Sequence, residues 1–160
     1  MPDIDSASFR KVLGHFPTGV TVVTAVLDGK PVGLTIGSFT SVSLDPPLVG
    51  FLPGRASDSW PDIERAGKFR VNVLAADQGD ACWVFAREND DKFDGLPWRP
   101  SPLGSPILSD VVAWIDCTIH DVVDAGDHYF VMGRVHELEV ERGDLAPLLF
   151  FQGKLGRFIH

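Results

Sequence analysis

The stretch from residue 32 to residue 51, VGLTIGSFTSVSLDPPLVGF, holds the residue types that best suit ligand binding. Gly33 and Gly37 have no Cβ atom, so a ligand or another backbone can approach them closely. Hydroxyl groups beside free backbone N–H groups suit an anion or the polar edge of a flat ring. The pattern therefore predicts a binding site without indicating the ligand. The hydroxyl residues are Thr35, Ser38, Thr40, Ser41 and Ser43.

A second candidate follows in residues 53–67, PGRASDSWPDIERAG. Ser57 or Ser59 can cap a short helix over residues 58–66, and Arg55 lies just upstream. The N–H groups and positive dipole end of a helix, together with serine donors and a guanidinium, are typical of an anion site. An ordinary helix cap beside a surface arginine explains the same residues. Both interpretations stay open at the level of residue types.

The turn Ala125-Gly126-Asp127-His128 is the third candidate. His128 begins a predicted strand and could face either the mouth of a barrel or solvent. The charge of histidine changes near neutral pH, which suits a residue that orients or protonates a redox ligand. A polar turn at the surface is the alternative.

Other chemistries find little support. Dinucleotide-binding, Walker, H-E-x-x-H and C-x-x-C motifs are all missing, and the five histidines show no metal-ligand spacing, so we expect no metal. Asp90-Asp91 and the aspartates of residues 121–127 are explained by solvated loops. A net charge of −8 disfavours nucleic acid and anionic membranes. Cys82 and Cys117 stand in apolar sequence and are expected to be buried free thiols, which indicates the cytoplasm.

The elements that must position these candidates are mainly strands. A chain of 160 residues suits a single domain, and no apolar run is long enough for a membrane helix. Three short helices are predicted over residues 5–16, 58–66 and 78–87, and a long Pro/Gly-rich connection over 88–105. Without regular alternation of strand and helix, a mainly β closed barrel is the natural architecture. Strands are predicted over 18–27, 32–36, 38–43, 47–52, 69–74, 111–123, 128–140 and 147–151.

In combination these segments resemble the short-chain flavin reductase family, the FMN-binding split-barrel reductases that serve two-component flavin monooxygenases. The similarity covers nearly the whole chain. Each fragment is weak alone, but their occurrence in the family order is specific. The fragments are FPTGVTVVTA (16–25), GLTIGSFTSVSLDPPLVGF (33–51), ASDSW (56–60), FRVNVLA (69–75), DKFDG (91–95), AGDH (125–128) and PLLFFQGKLGRF (147–158).

The resemblance implies one flavin reductase-like domain over residues 1–160. Its fold would be mainly β, an FMN-binding split β-barrel of Greek-key topology with a few short peripheral helices. It implies a homodimer that acts as an NAD(P)H:flavin oxidoreductase, reducing FMN or FAD with NADH or NADPH as co-substrate. The reduced flavin would go to a partner monooxygenase. A non-catalytic flavin-binding split-barrel protein is the alternative, while the acidic composition disfavours an oxidase of pyridoxamine-phosphate type.

The resemblance also implies roles for individual residues. The flavin would lie along residues 33–41, and His128 would be the catalytic residue that positions the nicotinamide. Two departures from the family pattern stand out: Gly37 often is Ser or Asn, and Asp124 often is His. The residues expected to bind the cofactor, with the phosphate at the arginine and the two serines that follow it, are Gly33, Leu34, Thr35, Ile36, Ser38, Ser41, Leu52, Arg55, Ser57, Ser59, Asn72, Ala75 and Phe151.

Overall fold

A computed structural model describes residues 3–88 and 91–159, so Asp90 and His160 lie outside the described residues. The helices of this part of the chain are α1 Ser6–Leu13, α2 Trp60–Ala66 and α3 Gly79–Ala86. Its strands are β1 Thr18–Gly19, β2 Thr21–Leu27, β3 Lys30–Ile36, β4 Thr40–Leu44, β5 Pro47–Phe51, β6 Lys68–Val73, β7 Trp98–Pro100, β8 Pro106–Leu108, β9 Ala113–Ala125, β10 His128–Val140, β11 Leu148–Phe151 and β12 Lys154–Arg157.

Seven strands form one antiparallel sheet in the order β3-β2-β6-β9-β10-β5-β4. Ile36 at one edge of this sheet and Val49 near the other belong to the same buried cluster, so the sheet curves around a common core. The hydrogen-bonded order ends at β3 and β4, and this opening distinguishes the split barrel from the fully closed barrel that the strand pattern alone predicts.

Both faces of the central strands are covered by apolar groups. Val23 and Val71 face the barrel interior, where Ile63 of α2 joins them. Val22 faces outward and packs with Phe85 of α3 in a second cluster. Burial on both faces explains why β2 is a continuous run of apolar and β-branched residues and does not alternate with polar ones.

The long hairpin of β9 and β10 carries the predicted His128 turn. Ala125 pairs with His128, so Gly126 and Asp127 form a two-residue turn, with Gly126 at a φ of 68°. Two register shifts interrupt this hairpin farther along. The turn places His128 at the first position of β10.

Short strands account for the main differences from the sequence prediction. The tail after Phe151 forms β12, which pairs with β11, and β11 pairs with β1. The turn into β12 uses Gln152 and Gly153, both at positive φ. Strand β7 lies inside the 88–105 connection expected to be irregular, and it pairs with β8 just after that connection. Strands of two to four residues are too short for period-two alternation to reveal them.

Helix α1 agrees with its predicted start and differs in its packing. The Asp5 side chain accepts a hydrogen bond from the Ser8 backbone N–H at 2.8 Å, so Asp5 is the cap. The apolar residues Phe9, Val12 and Leu13 are all at least half exposed, and none of the residues in α1 is buried. Within residues 3–88 and 91–159, no helix combines the length and apolarity needed to cross a bilayer.

Candidate functional site

An open groove of about 690 Å³ lies where the connection between β3 and β4 passes the segment before β2. Its walls are mostly apolar, with hydroxyls along them. A flat ring with polar edges fits such a surface, because the ring faces need apolar contact and the edges need hydrogen bonds. The lining residues are Leu13, Phe16, Pro17, Thr18, Gly19, Val20, Thr21, Gly37, Ser38, Phe39, Thr40 and Val73.

Ser38 connects this groove to the end of β5. Its Oγ atom accepts a hydrogen bond from the Leu52 backbone N–H at 3.0 Å. The structure therefore brings together two residues that the sequence assigned to the cofactor. Ser41 lies farther along, exposed on β4.

The segment after Leu52 is joined to the β9–β10 hairpin. The Tyr129 N–H donates to the Pro53 carbonyl at 3.0 Å, and Gly54 forms a β-bridge with His128. The groove and the histidine turn, far apart in sequence, are therefore neighbours in the fold. This proximity is the feature that sequence reasoning could not supply.

Arg55 makes the closest connection between these two segments. Its backbone N–H donates to the Asp127 carbonyl at 2.9 Å, and its Nε donates to the Gly126 carbonyl at 2.7 Å. Its Nη2 lies 2.7 Å from Asp124 Oδ1, and its guanidinium lies 4.4 Å from the centre of the Tyr129 ring. The hydrogen bond from Arg55 to Asp124 raises the pKa of the arginine above its usual value.

His128 is oriented by its neighbour in the chain. Its Nδ1 lies 2.7 Å from Asp127 Oδ1, and this hydrogen bond, with the charge of the imidazole, lowers the pKa of Asp127. A Cβ atom built on Gly54 would lie 3.8 Å from His128 Nε2. With 47% of the side chain exposed, the imidazole is accessible at the start of β10, where its residue pairs with Gly54.

Two residues of β3 that the sequence assigned to the cofactor, Thr35 and Gly33, contact α3. Thr35 Oγ1 donates to the Cys82 carbonyl at 2.6 Å. A Cβ atom on Gly33 would lie 2.7 Å from the Phe85 ring, so the glycine makes room for that ring. The expectation that Gly33 binds the cofactor stays a prediction, with the Phe85 ring filling the space on the side where a Cβ atom would lie. Leu34 packs against the barrel core, and Ile36 is buried within it.

The two serines expected to bind the flavin phosphate, Ser57 and Ser59, both make hydrogen bonds within the protein. Ser57 Oγ accepts a hydrogen bond from the Trp60 N–H at 3.2 Å, which is a helix-capping contact. Ser59 is 8% exposed and accepts a hydrogen bond from Lys92 Nζ at 2.9 Å. With Arg55 bound to the hairpin, this geometry favours the helix-cap alternative for these residues. Ser59 directly precedes α2 but makes no side-chain capping bond.

Lys92 is a residue that the sequence interpretation missed. Its ammonium donates to the Gly33 carbonyl at 3.1 Å and the Phe85 carbonyl at 3.3 Å, in addition to Ser59. Burial lowers the pKa of Lys92, and the charge of Asp58 partly opposes this shift. The lysine therefore ties together β3, α2 and α3. Its place between acidic residues in DKFDG was the available signal, but a surface lysine is the usual interpretation of such a pattern.

Asn72 and Ala75 do not reach the groove surface. The Asn72 side chain is fully buried, donates to the Val22 carbonyl at 3.0 Å and accepts from the Leu108 N–H at 3.2 Å. Ala75 is fully buried as well and forms a bridge with Pro147. The expectation that Asn72 and Ala75 lie near the flavin stays a prediction, and the hydrogen-bonding groups of the Asn72 side chain are used inside the fold.

Phe151 lies beyond the end of the groove. It is 43% exposed and meets the His15 ring edge-on, with the ring centres 6.3 Å apart. It lines a smaller cavity of about 390 Å³ together with Pro17, which also lines the groove. The two cavities are therefore adjacent at Pro17.

Comparison with known proteins now assigns the family. The family model described as a flavin reductase-like domain matches residues 13–158. A flavin reductase of Pseudomonas putida is 60% identical over 97% of this chain and 91% of its own length. The chain belongs to the flavin reductase-like family, as the sequence predicted.

Further relatives and solved structures agree. Reductase subunit HsaB of a flavin-dependent monooxygenase from Rhodococcus jostii (strain RHA1) is 50% identical over 94% of this chain and 77% of its own. The structure of a homologue of nitrilotriacetate monooxygenase component B from Mycobacterium thermoresistibile gives a TM-score of 0.93 at 48% identity, covering 97% of this chain and 87% of that one. Streptomyces globisporus NADH:FAD oxidoreductase SgcE6, with NAD and FAD fragments, gives 0.91 at 36% identity, covering 99% and 98%. The predicted split-barrel fold and the predicted enzyme class, NAD(P)H-dependent flavin reductase, are confirmed.

Proposed function

We propose that this flavin reductase binds FMN or FAD along the groove, and that the β9–β10 hairpin presents the nicotinamide of NADH or NADPH to it. The observation that carries the proposal is the continuous connection from Ser38 through Leu52 to Gly54 and His128. Through this connection a ring lying in the groove would be next to the imidazole.

The groove residues supply binding and orientation. The apolar side chains of Phe16, Pro17 and Phe39 would contact the faces of the flavin ring, while Thr18 and Ser38 offer hydroxyls to its edge. A bound flavin supplies the redox chemistry by accepting a hydride from the nicotinamide. The protein adds proximity and alignment of the two rings, which lower the barrier without a nucleophile from the chain.

The hairpin residues position the second ring. Asp127 fixes the orientation of the His128 imidazole through the contact at Nδ1, which leaves Nε2 directed toward Gly54. With Nδ1–H donated to Asp127, the Nε2 of a neutral imidazole can accept a hydrogen bond from the carboxamide N–H of a nicotinamide and hold the ring parallel to its acceptor. His128 is thus the proposed catalytic residue.

A homodimer is part of the proposal. Phe9, Val12 and Leu13 leave the apolar face of α1 exposed in the single chain, and Phe16 beside the groove is 71% exposed. Exposed apolar faces of this kind are covered by association. We expect light scattering at assay concentrations to give about twice the 17.4 kDa of one chain. A single-chain mass under those conditions would contradict the dimer.

The product would leave for a separate oxygenase. The groove is open, so reduced flavin can dissociate after the reaction. Relatives such as HsaB are named as reductase subunits of monooxygenases. We place the reaction in the cytoplasm, since Cys82 and Cys117 are both free, buried thiols.

His128→Ala tests the proposed role of the hairpin. We expect kcat with NADH and FMN to fall about tenfold or more, because a misaligned nicotinamide is slow to react. Flavin affinity, followed by quenching of flavin fluorescence, should change less than kcat. The matched control is His136→Ala, which removes another exposed histidine of β10, one that contacts Thr118. Equal kinetics in His128→Ala and wild type would contradict the role of His128.

A further inference from the structure

Arg55 spans from the segment behind the groove to the nicotinamide hairpin, and its contacts involve both backbone and side chain. Two of them are donated to main-chain carbonyls, those of Asp127 and Gly126. The third ends on the carboxylate of Asp124. The fourth is the stacking of the guanidinium over Tyr129. These contacts reach the end of β9, the turn and the start of β10, so they fix the position and the tilt of the turn.

These contacts also limit the other interactions that the Arg55 side chain can make. Its Nε and Nη2 atoms both donate within the hairpin, at 2.7 Å each. A bidentate contact with a phosphate would need two nitrogens on one edge of the guanidinium. The Nε–Nη2 edge of the side chain is therefore used to hold the hairpin, and a phosphate could be bound only by the other edge, formed by Nη1 and Nη2.

Asp124 has no other described role that explains its orientation. It is an exposed carboxylate, 81% accessible, three residues before the Asp127 that contacts His128. Its Oδ1 atom is directed at Arg55 across the turn. An exposed ion pair of this kind contributes little to folding. We therefore attribute this contact to holding the hairpin in one position.

We propose that Arg55 and Asp124 form a clamp that sets the position of the β9–β10 turn, and that Asp124 is a positioning residue for the nicotinamide. Asp124 acts through Arg55 and does not touch the coenzyme. With the clamp closed, Gly54 and His128 stay paired and the imidazole keeps its position beside Gly54. This inference rests on the proposed role of His128 in holding the nicotinamide.

Asp124→Ala should separate the coenzyme parameters. We expect the KM for NADH to rise about tenfold, since a mobile turn must be ordered whenever the coenzyme binds. The dissociation constant for FMN should stay within twofold, because the groove is untouched. The control is Asp144→Ala, which removes a carboxylate that is 67% exposed from an ion pair with Arg142 at 3.1 Å, at a different turn. That variant should leave both parameters unchanged.

A double-mutant cycle tests whether the two residues act through one contact. Arg55→Ala should raise the KM for NADH at least as much as Asp124→Ala does. The double variant should then resemble Arg55→Ala, because the contact is already lost. If the increase in the KM for NADH in the double variant were the product of the increases in the two single variants, the clamp would be overturned.

Arg55→Lys distinguishes the clamp from a phosphate ligand. Lysine keeps the positive charge but cannot donate to Gly126 and Asp124 from a planar fork, so the KM for NADH should stay high. A phosphate-binding role predicts something different: Arg55→Ala would weaken FMN but not riboflavin, and Arg55→Lys would restore FMN binding. That pattern, with an unchanged KM for NADH, would overturn the proposal.

Amide hydrogen exchange measures the turn itself without relying on turnover. The N–H groups of Tyr129 and Arg55 donate to the Pro53 and Asp127 carbonyls across the joint. Asp124→Ala should accelerate their exchange about tenfold while leaving the amides of β6 unchanged. Unaltered exchange together with an unaltered KM overturns the clamp. If these stay unaltered but His128→Ala still impairs turnover, the proposed function stands without the clamp; if His128→Ala has no effect, the proposed role of the hairpin fails first.

Discussion

Two arginine–aspartate pairs in this chain have contacts of similar length and opposite surroundings, and the first pair is bidentate while the second uses one nitrogen. Arg70 and Asp116 face each other on β6 and β9, with Nε–Oδ1 at 2.8 Å, Nη2–Oδ2 at 2.9 Å and neither side chain exposed. Arg55 and Asp124 meet at 2.7 Å with 41% and 81% of their side chains exposed. The same chemistry therefore serves a buried sheet in one place and a surface turn in the other.

Each guanidinium also lies over an aromatic ring. Arg70 is 3.8 Å from the centre of the Trp114 ring, and Arg55 is 4.4 Å from that of Tyr129. In the buried pair, both charges have left water and depend on each other, although Arg70 Nη1 has no hydrogen-bond partner among the described residues. In the exposed pair, water can replace either partner. The difference indicates that the first pair governs folding and the second governs the position of a turn.

Asp116→Ala should have the largest effect on stability. The substitution leaves the Arg70 charge buried without a partner, so the free energy of unfolding should fall by about 3–5 kcal/mol. Asp124→Ala, with its partner in water, should leave the urea midpoint nearly unchanged. Urea unfolding followed by tryptophan fluorescence measures both variants. Similar losses of stability in the two would remove the distinction between the pairs.

Asp116→Asn is the matched variant for this experiment. The amide keeps the size of the carboxylate and one acceptor oxygen, so a bond to Arg70 can remain while the negative charge is lost. We expect a loss of stability between those of wild type and Asp116→Ala. If Asp116→Asn lost more stability than Asp116→Ala, charge pairing would not be the main contribution to stability. Relaxed packing around the smaller alanine would then explain the difference.

Strands with long apolar or β-branched runs were predictable from the sequence, because burial of both faces leaves a clear pattern. The strand over residues 18–27 appears as β1 and β2, divided at Val20, and the two strands around the 125–128 turn appear as β9 and β10. Strand β12 was missed because four residues carry little pattern. Helix α1 was predicted from its apolar spacing, but the sequence could not say that its apolar face would remain uncovered in the single chain.

The site was predictable only in its separate parts. Ser38, Leu52 and His128 were chosen by residue type and resemblance, while their proximity depends on how β5 and β10 pair. Arg55 and Asp124 are 69 residues apart in sequence, so no local pattern indicates that they meet. A single sequence therefore gives the chemistry of the candidates and leaves their partners to be found from the fold.

Burial of Cys117 should make the stability of the fold depend on pH, with a smaller effect than that of Asp116→Ala. Cys117 follows Asp116 on β9 and faces the barrel interior, where burial, with a contribution from the charge of Asp116, raises the pKa of its thiol from an ordinary value of 9.0 to about 12. Above pH 9 the unfolded chain loses this proton while the folded chain keeps it, so stability falls as pH rises toward 12. At pH 10 the loss from this thiol is on the order of 1 kcal/mol.

Unfolding of wild type and Cys117→Ala between pH 8 and pH 10 measures this contribution. The alanine variant lacks the thiol, so it should lose less stability over the interval, whatever its stability at pH 8. A reagent for thiols should also fail to modify Cys117 in the native protein at pH 8 and react readily after denaturation. Parallel pH profiles for the two proteins would mean that the buried thiol ionises as easily as an exposed one, and the barrel interior around β9 would then be accessible to water.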